Sequence, residues 1–294
     1  MRKNQLFLIF LILAFTTLKA QNSFWKKSDT LDIKKRRTLI IAESSAYAVS
    51  MIGLNQLWYA NYPKSNLHSI NDNKEWLQMD KMGHAMTSYY VGKMGMNLLN
   101  WTGDTKKNQL IYGATLGLAF LTTVEIFDGF SQQWGFSYGD MIANASGTGL
   151  LIGQELLWNE QRIQFKYSFH QTHFAPLRPN LLGSNFLEES LKDYNGQTYW
   201  LSANLWSFAK ESKIPKWLNL AVGYGAENMI TGDALPNDHR YRQYYLSLDI
   251  DLSKIKTKSK FLRSLFDTIN FIKVPAPTLS YSKEHKFGFS FLYF

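Results

Sequence analysis

The chain has 294 residues, 45% of them hydrophobic, enough for one large domain or two modest ones. It contains no cysteine, which excludes disulfides, thiolate metal sites and lipid attachment through a cysteine of this sequence. No G-x-x-x-x-G-K-[ST] loop, G-x-S-x-G elbow or H-E-x-x-H helix occurs, so the phosphate-loop, serine-hydrolase and zincin classes lack their sequence support.

Arg2 and Lys3 precede an apolar stretch from Leu6 to Phe15, and Leu18-Lys19-Ala20 stands before Gln21. This order predicts a secretory signal peptide over residues 1–20, cut after Ala20, and an exported mature chain. Removing Arg2, Lys3 and Lys19 takes the formal charge from +9 to +6. A basic exported chain is expected to face anionic lipid or envelope polysaccharide, and not nucleic acid. "KKRR" at residues 34–37 would be held cytoplasmic by the positive-inside rule; in an exported chain it touches anionic headgroups instead.

Apolar blocks at residues 38–60, 81–101, 110–127 and 140–158 predict four helices, a bundle-like half over residues 21–160. Gly113 with Gly117, and Gly149 with Gly153, set small residues four apart, a spacing that lets helix backbones approach closely. None of the blocks offers an uninterrupted run of about 18 apolar residues.

After "NEQR" at residues 159–162 the texture changes to alternation, and residues 161–294 read as an antiparallel β region. In "RIQFKYSFH", Ile163, Phe165, Tyr167 and Phe169 alternate with Gln164, Lys166, Ser168 and His170. Further strands are expected at 199–208, in "LNLAVGYGAEN", in "YRQYYLSLDIDLS", at 278–282 and in the aromatic "KFGFSFLYF" at the end. About six strands are fewer than the eight of the smallest single-chain bacterial barrels, so the expected fold class is α+β, with an open or partial barrel. A basic amphipathic insert at residues 254–273 carries Phe261 and Phe266 in an apolar stripe behind Lys254, Lys256, Lys258 and Lys260, with Lys273 also on the polar side. Such a helix can lie in a membrane interface.

The polar residues of the helical half raise the question of chemistry. Asp80 and His84 are four apart and share a helix face; Glu125 and Asp128 are three apart. Ser137 is a potential helix cap, Asp140 falls in the first turn, and Asn144 follows on the same face. Carboxylates in apolar helices are costly unless paired, so the least costly arrangement gathers these groups at one end of the bundle. No cofactor is predicted; His with Asp or Glu can ligate Zn or Mn, so a divalent metal at His84 and the carboxylates is an open option, although a single histidine makes a weak metal signature. His170 and His173 belong to the β half.

The order D-K-x-G-H, then E-x-x-D, then F-S-x-x-D-x-x-A-N-x-x-G resembles the YfiM-like family of predicted periplasmic lipoproteins, a domain of unknown function, and more distantly is similar to VanZ-type membrane proteins. The likeness runs from Gln78 to Gly153, roughly a quarter of the chain, and lacks the lipoprotein cysteine. It implies a small helical envelope domain and carries over Asp80, Lys81, His84, Glu125, Asp128, Ser137, Asp140, Asn144 and Gly147. The leading expectation is a structural or lipid-handling envelope protein, in the outer membrane in preference to periplasm or inner membrane. The alternative is a hydrolase or transferase on a lipid-linked or cell-wall substrate, with His84 as base, Asp80 orienting it, and Glu125 or Asp128 as acid or metal ligand. A third class is an assembly accessory that pairs its sheet edge with partner strands.

Overall fold

A computed structural model of the protein describes residues 24, 26–60, 62–234 and 239–293; the predicted leader, 1–20, lies outside the described residues. The chain divides into two compact units, one made of the residues up to 61 with 92–116, the other of 62–91 with 117–294.

In the first unit helix α1 (Ile33–Leu54) starts at Asp32, whose carboxylate accepts from the backbone N–H of Lys34 and Lys35. It runs on into a π-turn, Asn55–Tyr59. The C-terminal half of helix α2 (Met79–Trp101) packs on a second π-turn, Gln109–Gly113. A Cβ on Gly95 would sit 2.6 Å from the Gly113 carbonyl oxygen, so glycine is required for the two backbones to touch. Half of the "KKRR" cluster is engaged within the chain, while Lys34 and Arg37 are exposed. Lys35 is buried, donating to Lys26 O at 2.6 Å and Ser28 Oγ at 2.9 Å, and Arg36 pairs with Asp104 at 3.3 Å.

Helix α3 (Leu116–Gly129) starts later than the sequence suggests, because the π-turn takes the residues before it. Taken together, Lys106–Gly129 is, among the described residues, the one helical stretch long and apolar enough to cross a membrane. In the second unit the first half of α2 packs against α3 and against helix α4 (Tyr138–Trp158). Gly117 and Gly147 are the contact points: a Cβ on either would fall 2.1 Å from Ser88 O or 2.0 Å from Ala85 O. Gly149 and Gly153, expected to mediate such an approach, face open space. The helix is rotated so that position 147 meets the neighbour.

Two short strands, β1 (Ser69–Ile70) and β2 (Phe136–Ser137), precede α4; beyond it six longer antiparallel strands follow, each paired with the next in chain order, without closure into a barrel. They are β3 (Ile163–Phe169), β4 (Gln197–Asn204), β5 (Leu218–Glu227), β6 (Tyr241–Ile250), β7 (Ala276–Ser282) and β8 (Lys286–Tyr293). β4 stops short of the expected residue 208 because the Asn204 side chain accepts from Ser207 N at 3.0 Å and starts a helical turn, Leu205–Phe208.

The sheet is strongly curled. Tyr293 on β8 reaches Trp200 on β4, with ring centroids 5.9 Å apart, and Lys166 on β3 lies 3.5 Å from Asp249 on β6. Its sidedness is the reverse of an ordinary soluble sheet. Gln164, Lys166, Ser168, Ser202, Asn219, Ser247, Asp249 and Thr278 are buried on the inner side, while Val222, Leu246, Leu248, Leu279, Phe287 and Phe289 are exposed on the outer side. At β3 and β4 the outer side is covered: Tyr89 of α2 packs on Phe165, and Gly83 admits the ring of Tyr199.

The basic insert is only partly a helix. Helix α5 (Lys260–Ile269), capped by Ser259, presents exposed Phe261, Leu262 and Leu265. Lys254 ends a 3-10 turn beside Glu160 at 4.0 Å. Lys273 is not on the polar face of an interfacial helix but fully buried, donating to Leu248 O and Val274 O at 2.7 Å. Residues 271–273 run alongside β3, where Tyr167 N donates to Phe271 O and Lys273 N donates to Tyr167 O. The edge of β3 is thereby paired at Tyr167.

Candidate functional site

A two-residue parallel bridge organises the polar end of the helices. Strand β1 (Ser69–Ile70) pairs with β2 (Phe136–Ser137), which sets the loop after β1 beside the start of α4. Ser137 then bonds in three directions. Its hydroxyl donates to Asp72 Oδ1 at 2.6 Å and accepts from Asp140 N at 3.1 Å, capping α4; its backbone N–H donates to Glu125 Oε2 at 3.1 Å.

Lys81 fills the space between three carboxylates, with Nζ 2.7 Å from Asp72, 3.0 Å from Asp80 and 2.9 Å from Asp140. One turn on, His84 Nδ1 lies 3.1 Å from Asn144 Oδ1 and 3.7 Å from Glu125 Oε1, and Nε2 lies 3.9 Å from Asp140 Oδ1. The histidine side chain keeps 22% of its exposure and Glu125 only 1%, so the imidazole is the cluster's outlet toward the surroundings.

Burial governs the titration of these groups. Glu125, stripped of water and facing the charge of Asp140, is pushed up to about 8. Burial also raises Asp80 and Asp140, against the pull of Lys81 on the first and of His84 and Lys81 on the second. Asp72 ends below its ordinary value, because the bonds from Lys81 and Ser137 outweigh its burial. Lys81 is held above the usual lysine range, since Asp80, Asp72 and Asp140 outweigh the cost of burying the ammonium.

Of the residues singled out from sequence, Asp80, Lys81, His84, Glu125, Ser137, Asp140 and Asn144 lie within this one constellation, and Gly147 provides the backbone contact beneath it. Asp128 is half-buried and bears on Glu125 through its charge. The ion pair of Asp80 runs to Lys81. His170 is exposed and His173 stacks on Phe174 at 3.9 Å. Sequence reasoning missed Asp72, which sits in the turn "NDN" and owes its place to the β1–β2 bridge. Lys256, Lys258, Lys260 and Phe261 are exposed, and Phe266 is half-buried.

Residues 70–153 match the model of a family described as predicted periplasmic lipoprotein (DUF2279). The match starts at 70 and so takes in Asp72 with the rest of the cluster. It supports export to the cell envelope; the more distant likeness to VanZ-type proteins has no support in the comparisons. No curated protein and no solved structure matches the chain.

Proposed function

We propose that the protein is an envelope protein that seats the outer face of its sheet against lipid, at the outer membrane, in a structural or lipid-handling role. The observation behind this is the pattern on that face. Val222, Leu246, Leu279 and Phe289 stand directly opposite one another across β5–β8, forming one aliphatic and aromatic row. The next row is Tyr224, Tyr244, Tyr281 and Phe287. An apolar band bordered by an aromatic row, over a polar interior, is the arrangement of sheets that meet hydrocarbon on the outside. A sheet built for water would place Lys166 and Asp249 outward, because burying a charge is costly and exposing Leu246 or Phe289 gains nothing.

The sheet ends in an open strand, β8, and unpaired backbone groups do not sit in hydrocarbon. The seat is therefore interfacial. Helix α5, with Phe261, Leu262 and Leu265 exposed and Lys256, Lys258, Lys260 and Arg263 around them, supplies a basic contact for anionic lipid. The test is fractionation of cells expressing the tagged full chain, with Leu246→Asp/Leu279→Asp as the variant. The wild type should sediment with outer membranes and the variant should be released while keeping its circular dichroism. Wild-type protein in the soluble periplasmic fraction would overturn the proposal.

A second reading, a hydrolase or transferase acting on a lipid-linked or cell-wall substrate, is favoured by one observation: a carboxyl raised to about 8 stands 3.7 Å from a partly exposed imidazole. That pairing can hold and pass a proton near neutral pH. A His84→Gln variant that folds like wild type and loses an envelope phenotype would support it; an intact phenotype would remove it.

A further inference from the structure

We infer that His84, Glu125 and Asp140 form a binding site for one divalent transition-metal ion of the zinc class. One donor atom from each of the three residues lies within 4.8 Å of the others. A tetrahedral ion with bonds of about 2.0–2.2 Å holds its ligand atoms roughly 3.4 Å apart, so side-chain movements of an ångström or less close the triad. Nδ1 of His84 lies 3.1 Å from Asn144 Oδ1 and 3.7 Å from Glu125 Oε1, and Nε2 lies 3.9 Å from Asp140 Oδ1, so the ring stands between the two carboxylates with one nitrogen held by Asn144. An oriented imidazole with its other nitrogen bonded is the usual support for a metal-ligating histidine.

The cluster alone would not carry this; two buried atoms do. Glu125 Oε1 is shielded from solvent and accepts no hydrogen bond, although its partner oxygen Oε2 is bonded to Ser137 N. Asn144, fully buried, leaves its Nδ2 donor without a partner. Buried polar atoms normally find partners, and an acceptor and a donor left open around one histidine mark the place of something that supplies them. A bound cation satisfies Glu125 Oε1, and a water or anion in the ion's fourth position satisfies Asn144 Nδ2.

Charge points the same way. Asp72, Asp80, Glu125 and Asp140 face a single lysine, so the fully ionised cluster carries −3 with His84 neutral. A divalent cation cuts that excess to −1. The second acidic triad, Asp72, Asp80 and Asp140, is already filled by the Lys81 ammonium and offers no room for an ion. His84 contributes the only nitrogen in the cluster available to a metal, which favours zinc-like ions over calcium or magnesium.

The test is titration of purified, chelator-treated full chain with Co2+, whose visible absorption reports a tetrahedral site, and with Zn2+ in competition. One equivalent should produce an intense visible band that Zn2+ abolishes. Glu125→Gln and His84→Asn should each lose the band while keeping the wild-type circular dichroism, and Asn144→Ala should weaken affinity by about 10- to 100-fold. Leu246→Asp/Leu279→Asp should bind as wild type does, which separates this site from the lipid seat. Absence of the band in folded wild type, or a band unchanged by Glu125→Gln, would overturn the inference.

Discussion

Replacing Lys81 by Met removes the one cation that touches Asp72, Asp80 and Asp140, at 2.7, 3.0 and 2.9 Å. Methionine keeps most of the side-chain volume, so the loss is electrostatic rather than a cavity. Breaking a buried ion pair from one side costs about 3–5 kcal/mol, because the partner is left as an uncompensated charge. Here three carboxylates lose the same partner, and protonation limits the total by letting them neutralise. At about 2–4 °C per kcal/mol for a domain of this size, the midpoint of thermal unfolding should fall by roughly 6–20 °C at pH 7.5. Without the lysine, Asp80 and Asp140, already raised by burial, titrate further above the unfolded value near 3.9, and Asp72 loses the bond that holds it below that value. A group raised in the folded state contributes stability fully present below its unfolded pKa and lost as pH rises through the folded one. The deficit of the variant should therefore be small at pH 4 and complete by pH 8. Circular dichroism melts in detergent, with a metal chelator present, measure it. A deficit below about 1 kcal/mol at pH 7.5, or one that is the same at pH 4 and pH 8, would refute the reasoning.

Other substitutions read other parts of the fold. Gly147→Ala drives a methyl to 2.0 Å from Ala85 O and should lower the melting midpoint by the several degrees that about 1–3 kcal/mol of overpacking implies; Gly149→Ala, facing open space two residues away, should leave it unchanged or raise it. Reversing Lys256, Lys258 and Lys260 to Glu should weaken binding to vesicles of anionic lipid by two orders of magnitude or more, at about 1 kcal/mol per basic residue, in a co-sedimentation assay; neutral vesicles should show little change. Lys273 is brought down to about 8 by burial, so between pH 8 and the unfolded value near 10.4 the unfolded chain holds the proton more tightly. Wild-type stability should rise across that window relative to Lys273→Met in denaturant titrations at pH 7.5 and 9.5, and parallel curves would show that the ammonium is not penalised.

The strands were legible because their period of two is local: Ile163, Phe165, Tyr167 and Phe169 announce one face whatever surrounds them. Which face turns inward was not legible. Alternation defines two sides equally well for an apolar core and for a polar one, and the choice depends on the curl that brings Lys166 to Asp249. The cluster was legible for the same local reason, since helical spacing puts Asp80, Lys81 and His84 on adjoining faces and Ser137 ahead of Asp140. Asp72 had no such spacing. Its partners are Lys81 and Ser137, and only the pairing of Ile70 with Ser137 brings it to them. For the glycines, spacing was misleading, because an interval of four says that two residues share a face but not that the face meets a neighbour. Lys273 shows a related limit: its neighbours in sequence suggest a solvated basic run, while the turn at Asn270 carries it under the sheet.

That turn also orders events in time. Asn270 bonds Lys166, Gln164 and Asp251 at once, and its link to Lys166 closes a loop of 104 residues. Until residue 270 has been delivered, strands β3 to β6 can zip together locally, but the lysine between them lacks that acceptor. Long loops close slowly, and contacts this distant in sequence make for slow folding. The C-terminal stretch therefore brings slow-forming, long-range contacts to a sheet whose earlier strands pair with their chain neighbours. A chain truncated after β6 is expected to aggregate rather than fold more simply, because Lys166 and Asp251 would lose Asn270 as a partner.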